Sequence, residues 1–191
     1  VVVLHGVRRA GAMVGKKVLI TGCGPIGMLC LLAARRAGAL EIVMTDIAES
    51  ALANARDCGA DRVINTKDEP ELLAAYGDDK GYFDVMFECT GAAPALIGGL
   101  TAVRPRAVIV QLGMGGDMSL PMVMVTAKEL DLRGSFRFHE EFAIGIALMG
   151  QGLIDVKPLI SHTVPLADAE QAFMIATDPL QPSLKTQIQF F

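Results

Sequence analysis

Short apolar runs rich in β-branched residues alternate along the chain with longer stretches whose apolar positions recur at helical spacing. Strands are predicted over residues 18–21, 41–46, 62–65, 82–88, 107–112 and 130–136, with helices over 25–37, 48–58, 69–76, 92–103, 121–128 and 140–149 between or after them. Residues 1–10 read as the tail of a helix, with Leu4 and Val7 on one face and Arg8 and Arg9 at the end where cations suit the dipole. Gly59 stops the third helix and Arg104-Pro105 marks the turn before the fifth strand. Residues 160–165 lead into an amphipathic helix over 166–176, and 184–190 reads as a final strand. No repeat or low-complexity linker interrupts the alternation. The predicted fold is α/β: a doubly wound, parallel, six-stranded sheet with helices on both faces.

One stretch carries candidate chemistry. Val18-Leu19-Ile20-Thr21 feeds Gly22-Cys23-Gly24-Pro25-Ile26-Gly27, an apolar helical run follows, and the next strand ends on Asp46. A strand, a Gly-x-Gly-x-x-Gly turn, a helix and a carboxylate about 20 residues on form the dinucleotide-binding fingerprint of a Rossmann sheet. Gly22 can take backbone angles that a Cβ forbids, Gly24 lets the main chain approach a pyrophosphate, and Gly27 lets the helix lie close to the strand. The free N–H groups of that helix then face the phosphates, and Pro25 suits its first turn. Asp46 can accept hydrogen bonds from the adenosine ribose and repels a 2′-phosphate, and no Arg or Lys follows until Arg56, so NAD is favoured over NADP. The same glycine spacing occurs in methyltransferases that bind S-adenosylmethionine, which stay open as an alternative. Cys89-Thr90-Gly91 ends the fourth strand and Gly113-Met114-Gly115-Gly116-Asp117 follows the fifth, both at carboxyl ends where such sheets hold ligands. The second group of glycines permits close approach to a flat ring; an ordinary turn and a flexible loop fit these spacings as well.

Composition narrows the classes. A chain of 191 residues, 52% hydrophobic with few aromatics, suits one domain around a parallel sheet. No apolar run approaches the ~20 residues of a membrane helix, and residues 1–4 lack the basic start of a signal peptide. The net charge of −4, with Lys and Arg scattered, offers nucleic acid no footprint. Cys23, Cys30, Cys58 and Cys89 are widely spaced without a Cys-x-x-Cys pair, so neither a zinc knuckle nor a disulfide framework is indicated, and a reducing cytoplasm is expected. The missing initiator Met suggests that the chain begins inside a longer protein. His5, His139 and His162 are not nominated as a catalytic base, although His139 follows the segment nearest a bound ring.

Taken together, the Gly22-to-Gly27 turn, Asp46, Glu88-Cys89-Thr90-Gly91, Gln111-Leu112-Gly113 and residues 129–135 resemble the coenzyme domain of the zinc-dependent medium-chain dehydrogenases, over essentially the whole chain. The resemblance implies that Gly22, Gly24, Pro25, Ile26 and Gly27 form the phosphate turn and that Asp46 is the ribose carboxylate. It places Leu112, Gly113 and Met114 in the nicotinamide-ribose loop and brings Ser135, Phe136 and Arg137 to the nicotinamide end, with Cys89, Thr90 and Gly91 also set for cofactor contact. It implies a division into 1–15, the tail of a connecting helix, 16–160, the dinucleotide-binding domain, and 161–191, a helix and strand returning towards a catalytic domain. The family's catalytic zinc is held by side chains of a preceding all-β domain and its structural zinc by four close cysteines, so no catalytic residue or metal ligand is assigned here and zinc is expected only in the full-length enzyme. Residues 60–61, 110–117 and 134–142 most resemble members of that family that act on sugar acids, and the resemblance implies L-idonate going to 5-ketogluconate as the favoured substrate, with sorbitol- or threonine-type polyol and alcohol substrates as alternatives. A stand-alone NAD-sensing module is the alternative from another class. The resemblance also implies that the strand near 130–135 pairs across a subunit interface, so a homodimer or homotetramer is expected. Two departures from the family stand out: Ala51 replaces an arginine beside the adenosine, and Arg106-Ala107 replaces a usual Gly-Gly, predicting a turn before the fifth strand that is strained or differently folded.

Overall fold

Six parallel strands, most of them built on short apolar runs, order the first of the two units into which the chain divides, Val1–Ile154 and Asp155–Phe191. The structure is a computed structural model that describes residues 1–178 and 183–191. The strands are β1 Lys17–Thr21, β2 Glu41–Asp46, β3 Arg62–Asn65, β4 Phe83–Glu88, β5 Val103–Gln111 and β6 Asp131–Gly134, in spatial order β3-β2-β1-β4-β5-β6. Every pairing is parallel. The chain builds outward one way through β2 and β3 and the other way through β4, β5 and β6. The order therefore reverses between β1 and β4, where sheets of this kind open a crevice at their carboxyl ends. The helices are α1 Val2–Ala10, α2 Pro25–Arg36, α3 Glu49–Asp57, α4 Pro70–Ala74, α5 Ala93–Ala102, α6 Met122–Ala127 and α7 Glu141–Gly150.

Covering both faces explains the apolar runs. Val18, Leu19 and Ile20 of β1 and Ile42, Val43 and Met44 of β2 are all fully buried, which a strand exposed on one face would not require. One core cluster joins Leu19, Val43, Ile64, Phe83, Met86, Leu100 and Ile109. Burying each such side chain contributes on the order of 1.5–3 kcal/mol. The C-terminal end of α5 is closed from outside: Lys128 Nζ donates to the carbonyls of Leu100, Thr101 and Val103 at 3.0, 2.7 and 2.8 Å. Its partial burial lowers the amine pKa from the ordinary value.

The fifth strand differs most from the sequence expectation in this unit. The fifth strand starts at Val103 rather than 107, and its register against β4 jumps from Phe83↔Val103 to Val85↔Val108, so residues between them bulge out. Within the bulge Arg106 has φ of +62°, its N–H donates to Lys128 O at 2.8 Å and its Nε to Glu129 Oε2 at 2.7 Å. The strained turn expected at Arg106-Ala107 is thus a bulge with one left-handed residue.

In the second unit, β7 His162–Pro165 pairs in parallel with β8 Thr186–Gln189, and α8 Ala169–Thr177 lies between them in sequence. The strand β7 was not expected, because its four residues bury only Val164 and show no apolar alternation. No helix among the described residues is long and apolar enough to cross a membrane.

Candidate functional site

The turn between β1 and α2 shows why its three glycines are there. Gly22 has φ of +91°, its N–H donates to Thr45 O at 2.7 Å, and a Cβ on it would lie 2.8 Å from Thr90 Cγ2. A Cβ on Gly27 would come within 1.8 Å of Gly22 O, so α2 sits against the strand only because that position has no side chain. A Cβ on Gly24 would meet nothing within 4 Å. Gly27 answers to packing, whereas Gly24 borders open space that an incoming group can use. Helix α2 begins at Pro25 with Gly24 as its N-cap residue and no side-chain cap, leaving its first-turn amides facing outward with Ile26.

Asp46 fastens this turn to the end of β2. Its Oδ2 accepts from Cys23 N–H at 2.7 Å, and its Oδ1 accepts from the N–H groups of Ile47 and Ala48 at 2.7 and 3.0 Å. A carboxylate offers about four acceptor positions, so capacity remains for a ligand hydroxyl. The next cation along the chain, Arg56, lies on α3 and pairs with Glu49 at 2.7 Å. The Cys23 thiol is buried, and burial followed by the Asp46 charge pushes its pKa far up.

Across the switch point, Glu88 organises the ends of β4 and β5. It is fully buried, and both oxygens act as acceptors. Oε1 accepts from Thr90 N at 2.8 Å, Gly91 N at 3.1 Å, Thr21 Oγ1 at 3.4 Å and, at very short range, the Thr90 hydroxyl. Oε2 accepts from Gln111 Nε2 at 2.5 Å and Gly91 N at 3.0 Å. Gln111 Nε2 in turn donates to Gly113 O at 2.9 Å, while Leu112 N and Gly113 N both donate to Glu88 O at 2.9 Å. One side chain therefore ties together the two loops that the sequence nominated separately. Glycine makes their contact possible: a Cβ on Gly113 would lie 2.1 Å from Gly91 N, and one on Gly115 would lie 1.9 Å from Gly91 O. Gly113 and Gly115 thus serve a close approach to the Gly91 backbone, and Gly116 borders open space.

The remaining nominated residues divide by where they point. Leu112 packs towards α1, its Cδ1 3.3 Å from where a Cβ on Gly6 would be, while Met114 is 81% exposed. Cys89 turns inward, its Sγ 3.8 Å from Cys30 Sγ, and that hydrogen bond together with burial raises its pKa well above a free thiol. Ser135 is buried; its N–H donates to Gln111 O at 2.9 Å and its Oγ has no partner among the described residues, as is true of Gln111 Oε1. Phe136 is exposed, with the Arg137 guanidinium 5.1 Å from its ring centroid, and Arg137 holds φ of +57°. Two buried polar atoms without a partner among the described residues thus lie at the carboxyl ends of the neighbouring strands β5 and β6, on the side of the sheet where such folds hold polar ligands. Among the described residues no three His, Cys, Asp or Glu groups converge to hold a metal ion, so the residues present do not fit a zinc site.

Sequence reasoning named Glu88 and Gln111 only as parts of two motifs and assigned neither a role in the site. The signal was a carboxylate, Glu88, closing the buried apolar run Val85-Met86-Phe87 of β4, where burial needs several donors to offset it.

Residues 25–151 match the family model described as zinc-binding dehydrogenase. The chain is 39% identical over 190 residues to L-idonate 5-dehydrogenase (NAD(P)(+)) of Escherichia coli K12, covering 99% of this chain and 54% of that protein. It is 37% identical over 174 residues to sorbitol dehydrogenase of Ovis aries, covering 89% and 49%. The crystal structure of the Escherichia coli L-idonate 5-dehydrogenase superposes with a TM-score of 0.93 at 39% identity, over 99% of this chain and 54% of that one. A zinc-binding dehydrogenase of Sinorhizobium meliloti bound to NADP superposes with a TM-score of 0.88 at 25% identity, over 98% and 56%. The chain spans about half the length of the curated relatives it matches.

Proposed function

The chain belongs to the zinc-binding dehydrogenase family, and from that premise we propose that it forms the NAD-binding domain of a longer enzyme that oxidises a secondary alcohol of a sugar acid or polyol, L-idonate to 5-ketogluconate before others. The observation that carries the cofactor reading is the open Gly24 turn set against a half-buried Asp46 whose carboxylate is already oriented by three main-chain amides. The substrate class rests on similarity to an L-idonate and a sorbitol dehydrogenase.

Bound NAD supplies a nicotinamide ring that accepts a hydride from the substrate carbon. The part of this chain is to hold that ring in place. The first-turn amides and dipole of α2 balance the pyrophosphate charge. Asp46 accepts from the adenosine ribose and disfavours a 2′-phosphate by charge, with Arg56 already paired to Glu49. The second half of the dinucleotide crosses the switch point onto the loops clamped by Glu88 and onto residues 135–137. These contacts supply orientation and exclude water; they break no bond. No step through zinc is assigned to this chain. We read 16–160 as the dinucleotide-binding domain and 161–191 as the part returning to a catalytic domain. A homodimer or homotetramer is proposed because β6 is the edge of the sheet and exposes Leu132. Four free cysteines accord with a reducing cytoplasm.

The test of the substrate reading is turnover by the full-length gene product with NAD. The expected order of kcat/KM is L-idonate, then sorbitol, then threonine and simple alcohols. A simple alcohol leading that order overturns it.

A further inference from the structure

Helix α7 reads Glu-Phe-Ala-Ile-Gly-Ile-Ala-Leu-Met-Gly, and so apolar a helix is expected to bury an apolar stripe. Its buried residues are instead Glu141 and Gly145, while Phe142, Ile144, Ile146 and Met149 are exposed. A carboxylate and a glycine hold it. Glu141 Oε1 accepts from His5 Nδ1 and from Arg8 Nη1, each at 3.1 Å, and Oε2 accepts from the His139 N–H at 2.8 Å. Arg8 also pairs with Glu140 at 2.7 Å. A Cβ on Gly145 would lie 3.1 Å from Val1 Cγ2, so the helix meets α1 there as closely as a side-chain-free position allows.

The segment that Glu141 terminates needs such an anchor. It runs from Ser135, whose Oγ has no partner among the described residues, through Arg137, whose left-handed backbone persists only if its surroundings determine it. At its β6 end, Ser135 N–H donates to Gln111 O and Arg9 Nε donates to Gly134 O at 3.2 Å. At its other end the tie is Glu141. Helix α1 thus grips both ends, through Arg9 and through His5 and Arg8, and Gly6 of the same helix meets Leu112 beyond β5. A dinucleotide with its adenosine half over β1 and β2 carries its other half across the switch point towards β4, β5 and β6, which is where this segment lies.

We propose that Glu141 is a positioning residue for the nicotinamide half of the cofactor: by pinning the 135–140 turn to His5 and Arg8 it holds the wall that this half meets, and it plays no part in holding the adenosine half. The proposal rests on the NAD-binding reading above. It is tested by calorimetric titration of the chain and its Glu141→Ala and Glu141→Gln variants with NADH and with ADP-ribose, which keeps the adenosine and pyrophosphate but lacks the ring. Glu141→Ala is expected to weaken NADH about tenfold, the loss of a charged anchor, and to leave ADP-ribose within about twofold. Glu141→Gln, which keeps one acceptor oxygen, is expected to fall between wild type and Ala for NADH. Unchanged NADH affinity in Glu141→Ala, or equal weakening of both ligands, overturns the proposal, and if Ala does not fold the same criteria apply to Gln. A wild-type chain that binds neither ligand overturns the NAD-binding reading itself, a result distinct from selective or parallel loss in the variants.

Discussion

Replacing Glu88 by Gln swaps one buried acceptor oxygen for a donor of nearly the same size, so the change probes the clamp and not its volume. If the amide faces Gln111, it meets the Nε2 now 2.5 Å away and the Gly91 N–H at 3.0 Å. If it faces the other way, it meets Thr90 N at 2.8 Å and Gly91 N at 3.1 Å. Either orientation sets donors against donors. Each hydrogen bond to a charged acceptor is worth about 1.5–3 kcal/mol, and each stranded buried donor costs about 1–3 kcal/mol. Two terms work the other way. The charge no longer needs burying, and Gln111 can flip its unpartnered Oε1 towards the new amide, though it then loses the bond to Gly113 O at 2.9 Å. The balance is a net loss of about 2 kcal/mol, or about 4–8 °C in Tm for a unit of this size. Differential scanning calorimetry reads the shift, and NADH titration reads the loosening of the two loops. A second variant, Glu88→Gln with Gln111→Glu, reverses the polarity of the pair and is expected to recover part of the loss. A Tm within about 1 °C of wild type for Glu88→Gln would refute the clamp.

Other expectations follow from the same geometry. Gly27→Ala forces a Cβ to 1.8 Å from Gly22 O and is expected to cost about 3 kcal/mol of stability with loss of NADH binding, while Gly24→Ala, with open space around it, is expected to leave the melt unchanged and weaken NADH at least about tenfold. The same melting shift in both variants would contradict the division between packing and ligand access. Arg106, left-handed at φ of +62°, is expected to tolerate Gly with a gain of about 0.5 kcal/mol and to lose about 1–2 kcal/mol as Val, read by chemical denaturation; equal stabilities would remove the strain argument. The His139 N–H, and then His5, hold the Glu141 carboxyl at about 2, below its ordinary 4.5. Its contribution to stability is therefore present above the ordinary value and lost as pH falls through about 2. Wild type should lose stability more steeply than Glu141→Gln between those values, and parallel acid melts would count against the anchor.

The sheet was legible because strands buried on both faces must be continuous apolar runs, as in Val18-Leu19-Ile20 and Ile42-Val43-Met44. The turn at Gly22 and Gly27 was legible because backbone sterics leave few residue choices there. What escaped depended on partners distant in sequence. Glu88 gains its role from Gln111 on the next strand and from a turn beyond it, and Gly113 and Gly115 are glycines because Gly91 approaches them. Helix α7 is apolar on all sides, so its pattern does not say which face is buried, and a carboxylate at its start decided the matter. The strand β7 buries only Val164 and carries no alternation to read.

We propose above that the Gly22-to-Gly27 turn and Asp46 bind NAD in preference to NADP. The most direct test of that proposal is titration calorimetry of the chain with NADH, NADPH and S-adenosylmethionine, repeated on Asp46→Ala. Saturable NADH binding at least about tenfold tighter than NADPH is expected, with that preference lost in Asp46→Ala. Tighter binding of NADPH, or binding of S-adenosylmethionine alone, would contradict it.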